Sequence, residues 1–109
     1  MASKEEIAAI FTGIAARIDP TKASDLNATI QFELSGDSGG SYWLKFENGT
    51  AEAGEGTAVD PKMTLRTSAD DFAGMVAGKM NPMQAFMMGK IKIQGDTGIA
   101  MKLMPMING

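Results

Sequence analysis

The sequence predicts an α+β fold, a five-stranded and mostly antiparallel sheet with four or so helices covering one face. Three observations lead there. Apolar residues recur at helical spacing before residue 20, alternate with polar ones between residues 28 and 66, and return to helical spacing beyond Thr67. At 109 residues, the length suits one domain spanning 1–109 with a single core of modest size.

Ser3-Lys4-Glu5-Glu6 has the pattern of a capping box. Ile7, Ile10, Phe11, Ile14 and Ile18 then follow at helical spacing, which predicts an amphipathic first helix ending before Pro20. From Ala28 the period becomes two, with Ala28, Ile30, Phe32 and Leu34 on one side and Thr29, Gln31 and Glu33 on the polar side of a half-buried strand. A turn at residues 36–40 leads to a second strand in which Tyr42, Leu44 and Phe46 alternate with Trp43, Lys45 and Glu47. Asn48-Gly49 supplies the positive φ angles of a two-residue hairpin, so a third strand starts near Thr50. Its small residues Ala51, Ala53 and Gly54 place it at an edge. After the loop at Val59-Asp60-Pro61, Met63 and Leu65 alternate with Thr64 and Arg66 in a fourth strand.

Ser68 caps a short helix carrying Phe72, Met75 and Val76 and ending at Gly78. Asn81-Pro82 starts another, with proline at the first position where its missing amide costs nothing, and Gly89 closes it. Lys90 to Gln94 alternates as a fifth strand. Beyond Gly95-Asp96, Ile99, Ala100, Leu103 and Met104 mark a last helix that Pro105 should distort or end.

Without His or Cys the chain lacks the commonest general base, the commonest metal ligand and the thiolate nucleophile. Asp70-Asp71 reads as first-turn acidity that suits the helix dipole, because neighbouring helical residues point in different directions. Gly95-Asp96-Thr97-Gly98 before a helix offers free amides to an anion, a common arrangement and a weak signal. No catalytic residue, metal or cofactor is expected. No run of residues has the length and apolarity of a bilayer span. The absence of cysteine suits a reducing compartment.

The net charge of −3 conceals an asymmetry. Residues 1–78 hold six Lys/Arg against twelve Asp/Glu, whereas residues 79–109 hold Lys79, Lys90, Lys92 and Lys102 against Asp96 alone. The acidic whole argues against nucleic acid as a partner. The basic third can attract an anionic head group or a membrane surface, or its lysines can simply solvate an apolar region. That region is rich in methionine, with nine of the ten lying between Met63 and Met106. Methionine fills irregular cores and also lines surfaces that repack around varied partners, and both readings stand on composition alone.

Gly78-Lys79-Met80-Asn81-Pro82, Ala85-Phe86, Gly89-Lys90-Ile91-Lys92-Ile93-Gln94-Gly95-Asp96 and Gly98-Ile99-Ala100-Met101-Lys102-Leu103 together resemble the signature of the sterol carrier protein type-2 family. Ser68-Ala69-Asp70-Asp71-Phe72 is similar to the family's helix start, and Leu44 to Gly49 to its second strand and hairpin. The chain departs from the pattern at Lys45, where members often carry an acid, and at Tyr42, where some carry Trp. The resemblance implies a non-catalytic module, without cofactor, that binds and transfers fatty acids, fatty acyl-coenzyme A, sterols or phospholipids in an apolar tunnel between helices and sheet. By that resemblance the tunnel-lining candidates are Phe72, Met75, Val76, Met83, Phe86, Met87, Ile99, Leu103 and Met104, facing Phe32, Leu34 and Tyr42. Lys90, Lys92 and Lys102 are the head-group candidates. A monomer making transient membrane contact is expected. Because the chain ends Ile107-Asn108-Gly109 instead of in a Ser-Lys-Leu-type tripeptide, a cytoplasmic setting is expected over peroxisomal delivery, which would need another route. The alternative is a protein- or membrane-interaction module with a closed core that presents its Met-rich helices. An isomerase or hydrolase would need paired carboxylates, which no segment supplies.

Overall fold

In the computed structural model, which describes residues 3–18, 21 and 26–107 with side chains through Leu103 in the last helix, Ser3 opens the first helix as its spacing predicts. Its hydroxyl accepts from the Glu6 amide at 3.1 Å, satisfying one of the donors that a helix start leaves free. Helix α1 (Lys4–Arg17) then buries Ile7, Phe11 and Ile14 along one side. Strands β1 (Ala28–Ser35), β2 (Gly40–Glu47), β3 (Thr50–Glu55) and β4 (Met63–Ser68) follow. Asn48 and Gly49 take φ of 53° and 80°, the left-handed pair that turns β2 tightly into β3.

Ser68 accepts from the Asp71 amide at 3.0 Å to start α2 (Ala69–Val76), and Asn81 with Pro82 starts α3 (Pro82–Met87). Strand β5 (Lys92–Gly95) and helix α4 (Thr97–Ile107) complete the described chain. Two boundaries differ from the sequence pattern. β5 begins at Lys92 instead of Lys90 because the Lys90 backbone is already engaged: its amide donates to the Ala85 carbonyl at the end of α3, and its carbonyl accepts from the Thr67 hydroxyl, both at 2.9 Å. α4 runs through Pro105 to Ile107, so the proline does not end it.

The sheet order is β3-β2-β1-β4-β5, which puts β3 at an edge. Every pairing is antiparallel except that of β1 with the returning strand β4. Register places Phe32 between Tyr42 and Leu65, and Ile30 between Leu44 and Met63, so one face of the three central strands is continuously apolar and buried. α1 covers it over β2 and β3, α2 over β1 and β4, and α4 over β4 and β5.

The opposite face is polar, and here Gln31 departs from expectation. Its alternation suggests exposure, yet it is 3% exposed. The reason is topological. To reach the far side of β1, the chain after β3 crosses this face, and Gln31 fastens it: the side-chain amide donates to the Gly56 carbonyl at 3.0 Å, while its oxygen accepts from the Ala58 amide at 2.8 Å. Nearby, the Trp43 indole lies directly on Gly54 of β3, where any Cβ would overlap it. The glycine of β3 is therefore the space this ring needs.

Replacing Gln31 by Leu strands a buried donor and acceptor of the crossing loop. The expected loss is about 1–3 kcal/mol of unfolding free energy, read from denaturant midpoints at unchanged slope.

Candidate functional site

The inner face centres on four rings from four elements, two helices and two strands. Phe11 of α1 stacks on Tyr42 of β2 and on Phe72 of α2, with centroids 4.6 and 4.9 Å apart and both ring pairs within 12° of parallel. It meets Phe32 of β1 edge-on at 5.0 Å, and Phe32 and Phe72 lie 5.6 Å apart. Phe11 was legible only as one residue of a helix stripe, since nothing local shows that it touches both strands and α2. Burial holds Tyr42 above its ordinary phenolic range, and the nearby Glu55 carboxylate adds to the shift by opposing a second negative charge.

Of the candidate lining residues, Phe32, Leu34, Tyr42, Phe72, Met75 and Leu103 are buried together, with Val76 and Ile99 packed against them and partly exposed. Met83, Phe86 and Met87 do not join them. α3 turns Pro82 and Ala85, three residues apart, toward the core, which directs the intervening side chains outward and leaves Met83, Phe86 and Met87 at 41%, 43% and 81% exposure. The Met104 side chain lies outside the described residues. The rings touch one another, so this part of the inner face is a packed aromatic cluster, with a small cavity of about 140 Å³ beside Phe11 and Tyr42.

Two surface grooves flank this layer. One, of about 580 Å³, runs between α1 and α2 and is lined by Ile10, Ala73, Gly74, Val76 and Ala77 with Glu6, Asp70 and Lys79. The other, of about 450 Å³, lies where β1 and β4 end and α2 begins, with Leu34, Thr67, Ser68 and Gly89 in its wall. Lys90 and Lys92 both line it; Lys102, exposed on α4, is not among its lining residues. Arg66, which sequence reasoning missed, joins them because it stands directly opposite Lys92 in the β4–β5 ladder. Cations facing one another across strands cost stability, a cost offset where an anion sits between them. Arg66 donates from Nε to Gln94 at 3.2 Å, and Glu33, its neighbour on β1, is held instead by Ser41 and Gln31, each at 2.9 Å. Glu33 and Asp71 both line this groove, so its charge is mixed, with three cations against two carboxylates. Among the described residues there is no cluster of side chains suited to a metal ion, and no helix is long and apolar enough to cross a membrane.

This arrangement agrees with a family model, the SCP-2 sterol transfer family, that matches residues 9–108. The chain belongs to that family. It is 40% identical over 82 residues to hydroxysteroid dehydrogenase-like protein 2 of Bos taurus, a match covering 74% of this chain and 20% of that protein. The Xenopus tropicalis protein of the same name is 38% identical over 96 residues, covering 85% of this chain and 22% of its own length. The chain thus spans about one fifth of these curated relatives. Among solved structures, the apo form of sterol carrier protein 2 from Yarrowia lipolytica superposes with a TM-score of 0.69 at 25% identity, covering 95% of this chain and 85% of that one. The five-stranded mixed sheet with its covering helices is the sterol carrier fold.

Tyr42 is the one tyrosine of the chain, so phenolate absorbance reports it alone. Its midpoint should lie above about 10 in the folded protein and return to about 10 in denaturant. By linkage the folded state then holds the proton more tightly: stability is intact below pH about 10 and falls as pH rises toward the folded midpoint, a loss that Tyr42→Phe removes.

Proposed function

We propose that this sterol-carrier-family protein binds and carries a long-chain acyl lipid without covalent chemistry, with the tail inside the helix-covered face of the sheet and the head group at the Lys90–Lys92 groove. The observation that carries this reading is the pairing of a largely apolar inner face with a groove holding Arg66, Lys90 and Lys92 at one end of the same strands, Leu34 belonging to both. The solution structure of palmitated SCP2L2 from Aedes aegypti, which shares the fold at a TM-score of 0.77 and 22% identity over 92% of each chain, is named for an acylated state and supports a fatty acyl ligand here.

The inner residues suit such a tail. Phe72, Met75 and Leu103 present apolar surface without a polar group to strand, and Met75 can change rotamer as a tail enters. Because the aromatic layer is packed, the tail displaces side chains instead of filling a preformed void. Each buried methylene contributes about 0.8 kcal/mol, so about ten supply roughly 8 kcal/mol before ordering costs. Micromolar affinity is then the tightest that ten methylenes alone supply, with weak discrimination between tails. Arg66, Lys90 and Lys92 would meet a carboxylate or phosphate, and none of them is placed to perform a reaction.

Two measurements test this. Protein purified gently and then denatured in the mass spectrometer should release lipid, and lipid-free protein should displace a fluorescent fatty acid; lipid-free protein that displaces none contradicts carriage. Replacing Lys90, Lys92 and Lys102 by Gln should weaken acyl-coenzyme A binding and flatten its salt dependence, with Lys90 and Lys92 accounting for most of the effect. Unchanged affinity and salt slope would remove the lysines from the head-group role.

A further inference from the structure

Helix α3 is fixed at both ends with an apolar side facing out. The Asn81 side-chain oxygen accepts from the amides of Met83 and Gln84 at 2.8 and 3.3 Å, and Pro82 sits at the first helical position. At the other end the amides of Met88, Gly89 and Lys90 return to the carbonyls of Gln84, Phe86 and Ala85 at 2.9, 3.1 and 2.9 Å. Pro82 and Ala85 anchor the inner side, so Met83 and Phe86 protrude partly, and Met87 and Met88 stand 81% and 68% exposed. Single apolar side chains on a surface need no account, but four within six residues on a fixed helix do. Along this stretch of chain the charge is of one sign, although in space Glu6 and Asp70 share a groove with Lys79, and Glu33 and Asp71 share one with Lys90 and Lys92. Lys79, Lys90 and Lys92 flank the helix and are exposed, and no Asp or Glu occurs from residue 79 to residue 95, although the chain as a whole carries −3.

We propose that this face docks shallowly on a bilayer containing anionic lipid, with Met83, Phe86, Met87 and Met88 entering the boundary between head groups and acyl chains and Lys79, Lys90 and Lys92 meeting the head groups. An apolar centre with a basic rim complements that surface in both hydrophobicity and charge. A bilayer is favoured over a protein groove because the apolar element is short and protrudes, and most of its side chains are unbranched thioethers that adapt to a fluid phase. Lys90 also lines the groove assigned to the lipid head group, so docking would bring the mouth of that groove to head-group level. The docking face goes beyond the carriage reading and does not require it, since its residues are distinct from the buried lining.

The test uses the full chain sedimented with vesicles of phosphatidylcholine alone or mixed with phosphatidylserine. Binding should require phosphatidylserine and fall with added salt. Met87→Gln/Met88→Gln should weaken it at least about tenfold. Met87→Leu/Met88→Leu should retain it, and Lys79→Gln should weaken it by about fivefold. Both methionine variants should keep the wild-type thermal midpoint and the wild-type displacement of fluorescent fatty acid. Equal sedimentation of wild type and the glutamine variant, equal sedimentation with both vesicles, or none with either, would overturn docking; the last result would leave the face to a protein partner. A protein that docks in this pattern yet displaces no fatty acid would sink carriage and leave docking supported.

Discussion

The fold depends on how Phe11 is held. Its ring is sandwiched between Tyr42 and Phe72 and meets Phe32 edge-on, so one side chain of α1 ties that helix to two adjacent strands and to α2. Each such ring pair contributes about 0.5–1.5 kcal/mol beyond its buried area. If the proposed interior site is the one used, a tail exchanges ring-to-ring contacts for ring-to-tail contacts, and its net affinity is smaller than its own burial suggests.

A division of labour among the methionines follows from helix geometry. Met63 and Met75 are buried, whereas Met83, Met87, Met88 and Met101 are exposed to different degrees. Met75 is part of the buried core, while Met87 and Met88 stand on the surface. The lysines divide in a similar way. Lys90 and Lys92 converge with Arg66 on one groove, and Lys102 lies on another helix.

Local pattern was enough for most of the elements. The Ser3 and Ser68 caps, the Asn48-Gly49 turn and the alternation of Phe32 with Glu33 are each determined by residues a few positions apart, so they could be read without knowing the fold. The parallel pairing of β1 with β4 could not, because it depends on which strand edges remain free after the hairpins form. Two misreadings descend from that pairing or from its neighbour in the ladder. Gln31 is buried because the connection to β4 crosses it, and Arg66 is opposite Lys92 because β5 lies beyond β4. The outward position of Met83, Phe86 and Met87 was hidden for a different reason. On a six-residue helix nearly every position is apolar, and only the placement of Pro82 and Ala85 determines which side is inner.

The most direct test of lipid carriage by the interior follows the methionine methyl groups by NMR as a fatty acid is added to lipid-free protein. The Met75 and Met63 methyls should shift and saturate together, while those of Met87 and Met88 stay in place in the absence of membranes. A titration that moves only the exposed methyls, or none, would contradict an interior binding site.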